Sequence, residues 1–83
     1  MSFRVLIKSK AQREIDNLNL SEKRRIDDWL RNLSEDPFSG KKLHGERQGQ
    51  YSMRVWPYRI IYKVYKKELL VLVIEFGHRQ GVY

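Results

Sequence analysis

The sequence predicts a single α+β domain of order βααβββ, a helical hairpin packed on a small antiparallel sheet and spanning residues 1–83. Three observations carry this reading. Apolar residues recur at helical spacing between the first strand and Pro37, they alternate with polar ones from residue 50 to residue 65, and an unbroken apolar run follows at 69–74.

The elements follow in order. Phe3-Arg-Val-Leu-Ile-Lys8 is short and rich in β-formers, and reads as the first strand. Ser9-Lys-Ala-Gln12 has the spacing of a capping box, so a helix is expected to open with the Ser9 side chain as its cap. Ala11, Ile15 and Leu18 then form a narrow apolar face. Asn19-Leu-Ser-Glu22 breaks and restarts the pattern, and Ile26, Trp29, Leu30 and Leu33 give the second helix a wider stripe. That helix must stop before Pro37, because the residue preceding proline is pushed out of the α region. Residues 38–49 form a polar, Gly-containing connection carrying Lys41, Lys42, His44 and Arg47. Strands are expected near 50–55, 59–66 and 69–76, joined as an antiparallel meander by short links. Leu69-Leu-Val-Leu-Val-Ile74 lacks polar alternation, which predicts a strand in the middle of the sheet, buried on both faces.

Composition narrows the function classes. The 83 residues contain no cysteine, which removes disulfides, thiolate catalysis and Cys-based zinc sites, and fits a reducing, cytoplasmic setting. His44 and His78 are the only histidines and no acidic cluster of ligand spacing accompanies them, so neither a metal nor another cofactor is expected. No apolar run approaches the roughly 18 residues of a membrane span. The formal net charge is +7, and it is unevenly placed: residues 1–40 hold 8 Lys and Arg against 7 Asp and Glu, residues 41–83 hold 9 against 3. A field of this sign favours polyanions, because neutralised phosphates release condensed counterions.

The strand pattern sharpens that preference. If Trp56-Pro57 is the two-residue turn of a hairpin, position 54 faces 59, and two guanidinium groups stand opposite each other on the face away from the helices. Like charges so opposed destabilise a sheet by a few tenths to about 1 kcal/mol. A bound anion, most simply a phosphate, removes that cost. The alternative is an ordinary solvated face, with one arginine paired to Glu75, which a three-residue turn at 66–68 places opposite Arg59. Trp56 at the tip is either a turn-packing residue or a stacking platform for a base.

Taken together, Leu43-His-Gly45, Tyr51-Ser-Met-Arg54-Val, Tyr58-Arg59-Ile-Ile-Tyr62 and the closing Gly77-His-Arg79-Gln-Gly-Val-Tyr83 resemble the RelE/ParE superfamily of toxin–antitoxin toxins, and its RelE branch more closely. The resemblance spans essentially the whole chain. It implies a ribosome-dependent, metal-independent endoribonuclease that cuts mRNA in the A site by in-line attack of the ribose 2′-hydroxyl. By that resemblance Arg54 and Arg59 stabilise the phosphorane, Arg79 helps protonate the leaving 5′-oxygen, and Tyr83 orients the RNA. His78 is a further catalytic candidate, while Ser52, Lys41, Lys42, Arg47 and Trp56 are candidate RNA contacts. Ser52 departs from the pattern: it stands where the family carries a lysine as candidate general base, and a serine takes up no proton near neutral pH. The implied partners are the ribosome, mRNA and a small acidic RelB-like antitoxin, with a monomer expected when the antitoxin is absent. A ParE-like inhibitor of DNA gyrase on the same fold and a non-catalytic RNA-binding module are the competing readings.

Overall fold

The computed structural model describes residues 2–78. Two helices, α1 (Ser9–Asp16) and α2 (Leu20–Glu35), pack on one face of a five-stranded sheet built from β1 (Arg4–Ile7), β2 (Lys41–Lys42), β3 (Gln50–Val55), β4 (Tyr58–Tyr65) and β5 (Leu70–His78). The strand order is β1-β5-β4-β3-β2. The α+β class and the helical hairpin on a sheet agree with the sequence.

Two features of the sheet differ from expectation. β1 runs parallel to β5, pairing Arg4 with Leu70 through Ile7 with Val73, so the sheet is mixed. A parallel neighbour needs a long crossover, and the helices together with the β2–β4 meander supply it. The second difference is β2 itself, two lysines paired with Ser52 and Tyr51.

The core lies between helices and sheet, with Ala11, Ile15, Ile26, Leu33, Val55, Ile60, Tyr62, Val71 and Val73 almost fully buried. These are the apolar faces read from the sequence. β5 does occupy the middle of the sheet, but its two faces are not equally covered: Val71 and Val73 are buried beneath the helices, whereas Leu70, Leu72 and Ile74 are half-exposed. No second helical layer exists to cover them among the described residues.

The helix starts show why local signals compete with the ladder. The expected Ser9 cap does not form. Lys8 is the N-cap of α1, without a side-chain bond, because its N–H donates to the Val73 carbonyl at 2.9 Å and continues the β1–β5 pairing into the first turn. Ser9 is thereby already helical, and Gln12 donates instead to Asp16 at 2.9 Å. At α2 the Asn19 side chain accepts the Glu22 N–H at 2.9 Å, a well-made cap. α2 ends at Glu35, ahead of Pro37 as expected.

The segment leaving α2 is pinned by Tyr62, which is fully buried. Its hydroxyl donates to the Pro37 carbonyl at 2.9 Å and accepts the Gly40 N–H at 3.2 Å. Burial pushes this phenol up to about 12, while the Gly40 hydrogen bond acts in the opposite sense. The fold therefore holds the neutral form; this share of stability is fully present below pH 10 or so and is lost as pH rises through the folded value. An alkaline titration of phenolate absorbance should show a late step, coincident with loss of tertiary structure, that is missing from Tyr62→Phe. A Tyr62 that ionises with the exposed tyrosines contradicts this.

Candidate functional site

The hairpin closes on Trp56 and Pro57, joined by a cis peptide bond, and pairs Val55 with Tyr58 and Arg54 with Arg59. Arg59 in turn pairs with Gly77 of β5. One row across the sheet thus reads Arg54, Arg59, Gly77, on the face that the helices leave open. Arg54 is exposed and Arg59 half-buried. The glycine end of the row adds no side chain of its own beside the two guanidinium groups.

The next row reads Lys41, Ser52, Ile61, Glu75. Glu75 faces Ile61 rather than Arg59, because a four-residue turn and a bulge between Ile61 and Tyr62 shift the β4–β5 register. Its ion pair is with Arg47, whose guanidinium also donates to Gln50 Oε1 at 2.9 Å. The connection 43–49 therefore folds over the open face at this row. There Ile61 is fully buried and Ser52 is only 7% exposed. Beyond it neither the helices nor this connection reaches the arginine row.

The structure brings together some of the sequence candidates and separates others. Lys41 shares a row with Ser52 and lies beside the arginine pair, while Lys42, paired with Tyr51, sits on the alternate face. Arg47 is committed to Glu75 and Gln50. Trp56 stands 64% exposed at the hairpin tip, beside the pair. His78 pairs with Tyr58, not with an arginine, and lies edge-on to the Tyr58 ring with centroids 6.0 Å apart. That places it on the opposite face of the sheet from Arg54 and Arg59. Tyr58 itself donates to Glu22, a bond that together with burial raises its phenol above the usual range. Arg79 and Tyr83 fall outside the described residues.

Arg54 and Arg59 also line a cleft of about 350 Å³ with Trp29, Ser39, Gly40, Lys41 and Ser52. Sequence periodicity assigns Trp29 to the core stripe of α2, and nothing local joins it to a strand arginine. No group of three His, Cys, Asp or Glu side chains suited to a metal ion occurs among the described residues. No helix among them is long and apolar enough to cross a membrane.

This arrangement is what a charge-stabilising site for a phosphodiester requires, two forked donors fixed on a rigid sheet. Residues 5–83 match the family model of the ParE toxin of type II toxin–antitoxin systems. The chain belongs to that family. In fold, the toxin is similar to the RelBE2 toxin–antitoxin complex of Mycobacterium tuberculosis, at 25% identity and a TM-score of 0.86 over 95% of this chain and 100% of that one. It is similar too to the archaeal RelE–RelB complex of Pyrococcus horikoshii, at 26% identity and a TM-score of 0.81 over 99% and 100%. A YoeB/ParE toxin from Agrobacterium tumefaciens shares the fold at 20% identity and a TM-score of 0.80 over 93% and 99%. Among curated proteins, none matches in sequence. The toxin is accordingly a member of the RelE/ParE superfamily, as its motifs imply.

Proposed function

We propose that this toxin is a metal-independent endoribonuclease of the RelE type that cuts mRNA in the ribosomal A site. The observation that carries the reading is the Arg54–Arg59 pair, opposed across β3 and β4 on the open face. In the proposed step the ribose 2′-oxygen attacks phosphorus, the bond from phosphorus to the 5′-oxygen breaks, and a cyclic phosphate and a 5′-hydroxyl result. Arg54 and Arg59 hold the negative charge that builds on the non-bridging oxygens. The 5′-oxygen gains a proton, a role that the family resemblance gives to Arg79, with Tyr83 orienting the RNA. Among the described residues Ser52 is no base, Glu75 is held by Arg47 and His78 lies on the opposite face, so in this proposal the 2′-proton passes to water. Charge stabilisation is often the larger share of such catalysis, with a general base adding about 10²–10⁴-fold.

Added to translating ribosomes, the protein should produce codon-aligned cuts in mRNA. Intact mRNA with active ribosomes would falsify the reading. The match to the ParE family model favours one other, inhibition of DNA gyrase by binding. A supercoiling assay separates them, because gyrase inhibition with mRNA left whole supports the second. Under either, an acidic antitoxin segment is proposed to cover the basic open face in the cytoplasm, leaving a monomer when it is removed.

A further inference from the structure

We infer that the cleft beside the arginine pair is a nucleobase site in which the base lies against Trp29. This deepens the phosphodiester reading and rests on it. β2 pairs with β3 only at Ser52 and Tyr51, so β3 has an open edge from Met53 onward. The Leu43 N–H donates to the Gln50 carbonyl at 2.9 Å. Because antiparallel strands turn alternate residues toward a given neighbour, the peptide groups of Gln50 and Ser52 point to β2, and those of Arg54 point the same way, where β2 has ended. An N–H and a C=O thus face the cleft as a donor–acceptor pair, the pattern that a base edge presents.

The cleft's lining matches the same ligand. Trp29 offers an aromatic surface, Ser39 and Ser52 offer hydroxyls, and Lys41 with the two arginines supplies the charge for a phosphate. Its volume of about 350 Å³ falls within the roughly 300–1,000 Å³ of small-ligand sites. A cleft at the connection into β3 also joins an aromatic ring, Tyr51, to Lys42 and His44, but no arginine lines it. One between α1 and β5 sets Glu14 and Glu75 beside Lys10 and His78, and one between β1 and α2 is lined mainly by apolar residues with Asp27 and Arg31. A phosphate on Arg54 and Arg59 puts the base of the same nucleotide within the cleft. Stacking on an aromatic residue tolerates any base, so the peptide pair of Arg54 is the element that would discriminate among them.

The four nucleoside 3′-monophosphates serve as probes and ribose 5-phosphate as the base-free control. The protein has two tryptophans, at 29 and 56, and their indole N–H signals can be assigned with Trp29→Phe and Trp56→Phe. The nucleotides should shift the Trp29 signal and bind about 10–100-fold tighter than ribose phosphate, whereas ribose phosphate should leave Trp29 unmoved. Ser39→Tyr, on an exposed residue at the mouth, should fill the cleft and erase the difference. Equal binding of both probes with Trp29 unmoved overturns the inference, even if Ser39→Tyr fails to fold. The ribosome assay runs in parallel: cut mRNA with an unmoved Trp29 removes the base site and leaves the nuclease, while a shifted Trp29 with intact mRNA removes the nuclease and leaves the site.

Discussion

Arg59→Ala is expected to lower the rate of mRNA cutting by about 10²–10³-fold, the cost of removing one well-placed donor to a developing oxyanion. The loss should appear in the rate of cutting on bound ribosomes, with a smaller change in ribosome affinity. A non-catalytic binder would show the reverse, a loss of affinity together with a shallower salt dependence. Arg59→Lys keeps the charge but not the planar fork, and should recover only part of the rate. Arg54→Ala adds a second readout. Arg54 is exposed and faces Arg59 directly, so its removal relieves like-charge opposition and should raise stability by a few tenths to about 1 kcal/mol, while activity falls. Measured by chemical denaturation and by primer extension on the same preparations, a variant that loses both stability and activity would contradict the assignment of the pair to a ligand.

Gly40→Ala is expected to be among the most destabilising single-methyl additions in the chain. A Cβ there would stand 2.3 Å from the Tyr62 hydroxyl and 3.0 Å from the Ser52 carbonyl. Neither neighbour is free to yield, since one is fully buried and hydrogen-bonded and the other is backbone within β3. Overpacking of this kind costs about 1–3 kcal/mol, out of the 5–15 kcal/mol typical of a small domain. Tyr62→Phe should cost about 1–3 kcal/mol by leaving the Pro37 carbonyl and Gly40 N–H without their partner. The two changes should not add. Removing the hydroxyl clears the nearest clash, so the double variant should be more stable than the sum predicts by about 0.5 kcal/mol or more. Strict additivity in denaturant melts would show that Tyr62 does not hold the strap between α2 and the sheet.

How far the sequence revealed this fold depended on whether polarity marked the register. In β3 apolar and polar residues alternate, β4 repeats the pattern except at Ile61, and a two-residue link joins the strands, so the facing of Arg54 and Arg59 followed from period and turn length. β5 is apolar from Leu70 to Ile74, its register carries no such mark, and the bulge that sets Glu75 against Ile61 left no trace in composition. β2 escaped notice because two exposed lysines are poor strand formers held only by their neighbours. The Arg47–Glu75 pair and the approach of Trp29 to the arginines link residues far apart in the chain, and only tertiary structure supplies them. His78 illustrates the same limit: a one-residue step along β5 separates the face of Gly77, which continues the arginine row, from the face of Tyr58.

The division into layers also divides the charge. The helices and β1 belong to the near-neutral residues 1–40, and the open-faced meander to the strongly basic residues 41–83. The molecule is thus an electric dipole, with its positive pole on the side of the sheet that the helices leave bare. In the field of a polyanion it experiences a torque before it experiences a contact, and arrives already turned with Arg54 and Arg59 leading. Such orientation acts over about a Debye length, roughly 8 Å at physiological ionic strength. Added salt should therefore slow the encounter by scrambling the angle of approach as well as by weakening attraction.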